Sequence, residues 1–227
     1  MSSFGDVLKG LDWSVPLKLL VQAVPALLCI MVHEICHGAA AYALGDKTAK
    51  EQGRLSLNPL RHIDWIGLVM LLLFHFGWAK PVQVDMRHFK HPKRDMALTA
   101  LAGPASNFAM ALLFVFLYGL CYSSCVGTEL GGWVLYLLDS VVYLSIALGL
   151  FNLIPFPPLD GSKILFAFFP DRTYVKLMML ERYGMLILIA LVLFMNRVFE
   201  VSPIYTAADA VYRFIFPIAQ WANSLTL

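Results

Sequence analysis

Long apolar runs leave this chain few ways to fold. The first reaches from about Pro16 to Leu44. The third, "MALTALAGPASNFAMALLFVFLYGLCY", covers 96–122, and the fourth, "WVLYLLDSVVYLSIALGLFNLIP", ends at Pro155. Each meets the roughly 20 apolar residues that a helix needs to cross a bilayer. A fifth candidate, "YGMLILIALVLFMNRVF", covers 183–199. The second run, "WIGLVMLLLFHFGW" at 65–78, is short for a full crossing. The tail from Ser202 is less apolar and is expected to lie in the membrane interface.

Composition agrees. Hydrophobic residues make up 59% of the 227 residues and charged residues 14%, with a mean hydropathy of +0.71. A soluble domain carries about 25% charged residues. The chain therefore reads as one polytopic membrane domain over 1–227, with no room for a sizeable soluble domain and with no internal repeat. Its net charge of +2 says little about partners, and no segment reads as a nucleic-acid patch. Cys29, Cys36, Cys121 and Cys125 form no CxxC pair and suggest no disulfide framework. The start, "MSSFGDVLKGLDW", lacks a signal peptide's basic n-region, so the first hydrophobic helix is expected to stay in the protein.

Basic residues orient the runs, because loops rich in Lys and Arg stay on the cytoplasmic side. The stretches 45–64, 79–95 and 161–182 all contain them, and 123–132 contains none. The first three then face the cytoplasm. Segments 45–64 and 79–95 share a side only if run 65–78 is a re-entrant hairpin or a shallow helix. A full crossing stays open.

Into the first apolar run is set "MVHEICHGAA", positions 31–40. Ionisable groups at such depth are costly and usually functional. HExxH puts His33 and His37 on one helix face, where both imidazoles can reach one zinc ion. Glu34, beside the first histidine, can serve as general base towards a water whose pKa the metal lowers. A catalytic zinc takes three protein ligands. The candidates for the third are His62, His75, His88, His91, Asp139 and Asp160. By depth, Asp139 falls near the outer end of its run, where capping or an interfacial place suits it better. His88 and His91 sit among Lys and Arg and read as solvated. His75 could line the cavity or be a hydrogen-bonded membrane histidine. Asp160 follows the fourth run in "FNLIPFPPLDG", whose prolines break the helix. Such a break at membrane depth is tolerated where protein buries it or where it lines a wet cavity. Asp160 is thus a good third ligand.

"HEICH", then "AGPASN", then "NLIPFPPLDG", in that order, resemble the site-2 protease family of intramembrane zinc metalloproteases. "GRLSLNPLRHIDWIG" and "GWAKPV" look like the compact bacterial members without a PDZ domain. The resemblance covers about Val32 to Lys163. It implies an all-α polytopic membrane protein: a three-helix catalytic core (about 16–163) around one zinc per chain, flanking helices and a small membrane-associated β-element. It assigns His33, His37 and Asp160 as ligands and Glu34 as the base. Asn152 falls on a motif position where its amide could bind substrate backbone or an oxyanion, or else bond the backbone freed at the helix break. Gly103 and Pro104 look like the family's packing motif. Asn107, on the Gly103 face, is expected to point at the active site, as a second candidate for contact with substrate or oxyanion. One departure is Cys36, where relatives often carry Gly; its place off the His33–His37 face reads as packing.

The function these features imply is hydrolysis of peptide bonds within or near transmembrane segments of other membrane proteins. The expected partners are such substrates, the lipid bilayer and an unidentified regulatory membrane protein. The expected setting is a bacterial plasma membrane, with the site towards the cytoplasm. Alternatives are a metal-ion transporter, which would spread its ligands through the membrane depth, and a non-catalytic relative that binds membrane helices, disfavoured by the intact HExxH and LDG. A CAAX-type zincin would need a downstream Glu in a helical ExxxD-like setting, which is not found. The extended look of "GWAKPVQV", where Val82 and Val84 alternate with Gln83 and Asp85, predicts a strand edge for an unwound substrate. Val82 and Val84 would share that edge.

Overall fold

The computed structural model describes residues 14–65, 67, 80–198 and 203–226. Among them are α1 (Ser14–Ala43), α2 (Thr48–Glu51), α3 (Pro92–Cys125), α4 (Glu129–Asn152), α5 (Asp160–Phe166), α6 (Asp171–Val198), α7 (Pro203–Ile215) and α8 (Pro217–Ser224). Among the described residues, three helical stretches are long and apolar enough to cross a membrane: Ala23–Ala43 within α1, all of α3 and all of α4. They carry the first, third and fourth runs and pack against one another. Residues 183–198 of the fifth run lie in α6, which begins well before them, at Asp171; 199 is outside the described residues. Of the second run, 66 and 68–78 lie outside the described residues, and so does His75.

Local chemistry sets the ends of these helices. At the end of α1, Gly45 takes φ +113°, a left-handed turn that costs glycine little. The Gly45 N–H reaches Tyr42 O at 3.2 Å and the Asp46 N–H reaches Ala41 O at 2.9 Å. This Schellman pair satisfies carbonyls that the helix leaves open. Pro92 occupies the first turn of α3, and the Asp95 carboxylate accepts the His91 N–H at 2.9 Å. Thr128 caps α4 through Gly131 N–H at 3.1 Å.

The core lies along α3 and α4. Ala111 and Val115 of α3 and Val142 and Ile146 of α4 are buried with Ala208, Ile215 and Ala219 of α7 and α8. The helices of the tail, α7 and α8, pack against this core through Ala208, Ile215 and Ala219. A Cβ on Gly119 would lie 2.2 Å from Ala219 O, so backbone meets backbone there, as small residues allow in membrane helix pairs. Asp139 is placed differently from its expectation. It sits ten residues into α4 rather than at its outer end, and Tyr212 donates its hydroxyl to Asp139 Oδ1 at 2.5 Å.

The β-element shows no ladder among the described residues. Ile63 is an isolated bridge position and Lys80 N–H donates to His62 O at 2.9 Å. From Lys80 to Asp85 the chain runs without regular structure, into a 3₁₀ turn at Met86–His88. Residues 77–79 of "GWAKPV" lie outside the described ones.

Candidate metal centre

The antiparallel core brings three helix ends to one level. His33 and His37 lie ten and six residues before the end of α1, or about 15 and 9 Å at 1.5 Å per residue. Thr99 and Gly103 are early in α3, and Asp160 opens α5 after the break that follows α4. That break spans 153–159, with Pro155, Pro157 and Pro158. Gly161 lets α5 start hard against the end of α4, since a Cβ there would lie 2.2 Å from Leu153 O. The Asp-Gly pair of the LDG string thus has one physical cause: the glycine admits the close turn and the aspartate is carried into the core.

The three expected ligands meet. His33 Nε2 and His37 Nε2 are 2.9 Å apart, and Asp160 Oδ2 is 3.1 Å from the first and 3.0 Å from the second. All three residues are buried, at 4%, 8% and 8% exposure. Among the described residues they form a group that could hold a metal ion. The donor set fits zinc, which takes imidazole nitrogen and carboxylate oxygen at about 2.0–2.2 Å. A second observation supports the fit. His37 Nδ1 is 2.7 Å from Thr99 O, and a carbonyl only accepts. Nδ1 therefore carries the proton, and His37 Nε2 turns a bare lone pair to the group.

The remaining candidates are elsewhere. His62 is buried with its Nε2 2.8 Å from Ser56 O. His88, read as solvated, is half-exposed and holds the buried Asp46 at 2.9 Å through Nδ1. The backbone of His91 caps α3. Cys36 is half-buried and free, off the ligand group.

A cavity of about 390 Å³ opens onto the three ligands, within the range of ligand-binding clefts. His33, Glu34, His37, Asn152 and Asp160 line it with Pro81, Val82, Val84 and three methionines, Met86, Met96 and Met178. Lys163 and Glu181, 3.4 Å apart, also line it. Glu34 is half-buried, and its Oε2 accepts the Val82 N–H at 2.8 Å. The Val82 donor, expected to face a substrate, thus faces Glu34. One Asn152 N–H is bound to Leu148 O at 3.0 Å, the helix-end bonding considered for it, although the residue does line the cavity. Asn107 points at the centre from α3: it is fully buried, its amide lies 3.0 Å from His33 Nδ1, and it is not among the residues that line the cavity.

The fold and this group define a polytopic membrane protein with a buried His₂Asp centre able to bind metal. A model of Peptidase family M50 matches residues 128–195, which carry Asn152 and Asp160. A Bacillus subtilis protein named "Putative zinc metalloprotease YwhC" is 37% identical over 183 residues, 78% of this chain and 82% of that protein. "Putative zinc metalloprotease Rip2" of Mycolicibacterium smegmatis is 27% identical over 171 residues, 74% of this chain and 64% of its own length. The Mycobacterium tuberculosis H37Rv protein of that name is 28% identical over 171 residues, again 74% of this chain and 64% of its own. No solved structure matches. The chain belongs to peptidase family M50, the site-2 protease family.

Proposed function

We propose that the chain is a zinc endopeptidase that hydrolyses peptide bonds within or near the transmembrane segments of other membrane proteins. It would act as a multi-pass protein of a bacterial plasma membrane, with its site towards the cytoplasm, where its basic loops lie. The observation that carries the reading is the meeting of His33, His37 and Asp160 beside Glu34 in one cavity among membrane-length helices.

His33, His37 and Asp160 would hold the metal through Nε2, Nε2 and Oδ2. Zinc, when bound, supplies a Lewis acid that polarises a carbonyl and makes water easier to deprotonate. Glu34 takes the proton from the attacking water and returns it to the leaving amine, so each turnover ends with the carboxylate restored. The Val82 N–H holds Glu34 Oε2 and leaves the other oxygen for that proton. Pro81, Val82, Val84 and the three methionines give the cavity apolar contacts that suit a segment drawn from lipid. Such a segment must unwind first, because helical carbonyls are already bonded.

Glu34→Gln keeps size and removes the base. Membrane proteomes of cells with wild-type and Glu34→Gln protein should differ by intact segments or stubs that accumulate in the variant. Identical proteomes, with both proteins zinc-loaded, would remove the peptidase reading. Loss of zinc flux in that variant would favour a transporter.

A further inference from the structure

Thr99, Gly103 and Asn107 lie one turn apart on one face of α3, and that face meets both histidines. Thr99 O is 2.7 Å from His37 Nδ1. A Cβ on Gly103 would lie 2.4 Å from His37 Nε2 and 2.6 Å from His33 Cε1. The Asn107 amide is 3.0 Å from His33 Nδ1. Thus α3 presents a carbonyl to one ring, a vacancy where the rings pass, and an amide to the other.

The amide can be oriented two ways. With Nδ2 towards the ring, as placed, His33 Nδ1 must accept, and its proton moves to Nε2. That is the atom 2.9 Å from His37 Nε2 and 3.1 Å from Asp160 Oδ2, where a ligand needs a free lone pair. In the same placement Asn107 Oδ1 is buried without a hydrogen-bond partner. Amide oxygen and nitrogen have nearly the same shape, and their assignment follows from the network around them. Turning the amide puts Oδ1 on Nδ1–H and gives His33 the tautomer that Thr99 already imposes on His37.

We infer that Asn107 is a positioning residue for the metal centre: its Oδ1 accepts the His33 Nδ1–H and keeps His33 Nε2 unprotonated towards the ion. The inference rests on the reading of His33, His37 and Asp160 as the metal ligands. It concerns zinc affinity, apart from any substrate.

The test uses the full chain in detergent, with zinc affinity read by chelator competition for wild type, Asn107→Asp and Asn107→Leu. Asp offers acceptors only, so Asn107→Asp should bind zinc as tightly as wild type or tighter. Asn107→Leu, of similar size and without a polar atom, should bind about 10–100-fold more weakly, the usual loss when a ligand's supporting group is removed. Leu equal to wild type, or Asp weakened as much as Leu, would overturn the inference. A wild type with no zinc affinity would instead sink the ligand reading. If the variants do not fold, ¹⁵N-histidine spectra of zinc-free wild type decide: His33 should be protonated at Nδ1, and a bare Nδ1 refutes the proposal.

Discussion

Asp160 is separated from His37 by 123 positions in the chain, yet their side chains lie 3.0 Å apart. Asp160→Ala should lose most bound zinc, read as metal per chain after gel filtration. His62→Ala should keep it, since the His62 ring is bonded to Ser56 O, away from the group. Equal zinc in both variants would show that the third ligand has been misassigned. His33, Glu34, His37 and Asp160 were legible because ionisable side chains in apolar sequence declare their cost. Thr99 and Val82 were not, because each acts through its main chain, which every residue has. Asn107 was half-legible: helix periodicity puts it on the Gly103 face, but no sequence pattern says that a histidine ring fills the space ahead of it.

At the scale of elements, two carboxylates, those of Glu34 and Asp46, grip the segment 80–88. Val82 N–H binds Glu34 inside the cavity. Outside it, the fully buried Asp46 carboxylate accepts Asp85 N–H at 2.7 Å, Thr48 N–H at 3.0 Å and His88 Nδ1 at 2.9 Å. Alternation of Val82 and Val84 predicted extended chain, but a strand also needs a partner, and the donor that was to face a substrate is taken. Val82→Pro should therefore lower turnover while zinc stays bound, measured on a membrane substrate found by the Glu34→Gln comparison. Gln83→Pro leaves the Glu34 contact in place and should differ. If Val82→Pro cleaves as fast as wild type, that contact has no part in turnover. Burial pushes the Asp46 carboxyl up, but the hydrogen bonds from Thr48, Asp85 and His88 outweigh it and hold it below the usual carboxylate range. A depressed carboxyl stabilises above its unfolded pKa of about 3.9 and loses this as pH falls through the folded value. Proteolysis of segment 80–90 should thus stay slow from pH 7 down to about 5. Asp46→Ala should speed it at every pH in that window, and a wild-type segment that opens by pH 5 would refute the clamp.

On the whole-molecule scale, the three crossings α1, α3 and α4 stood out because lipid-facing helices are apolar nearly all round. The tail did not, because hydropathy reports contact with lipid, and α7 and α8 bury alanines against protein instead. Ala208, Ala219 and Ala222 are among the most buried residues of the chain. The sidedness of the assembly is testable with single cysteines in a cysteine-free background. Leu130→Cys, at an exposed site on the first turn of α4, should react with an impermeant maleimide in intact cells. Lys90→Cys, exposed just before α3, should react only after the membrane is opened. The reverse pattern would invert the proposed orientation.

The vacancy at Gly103 means that this centre can be disabled by addition. One methyl group on α3 would occupy the space of two imidazole rings while every ligand, every charge and the general base stayed in the chain. A Gly103→Ala protein would thus be an inactive control with an unaltered inventory of ionisable groups. Deleting a histidine or an aspartate removes an ionisable group from the apolar interior as well as a ligand, so two effects are read at once. Steric eviction separates them, and asks of the cell what is lost when only the room of the two rings is gone.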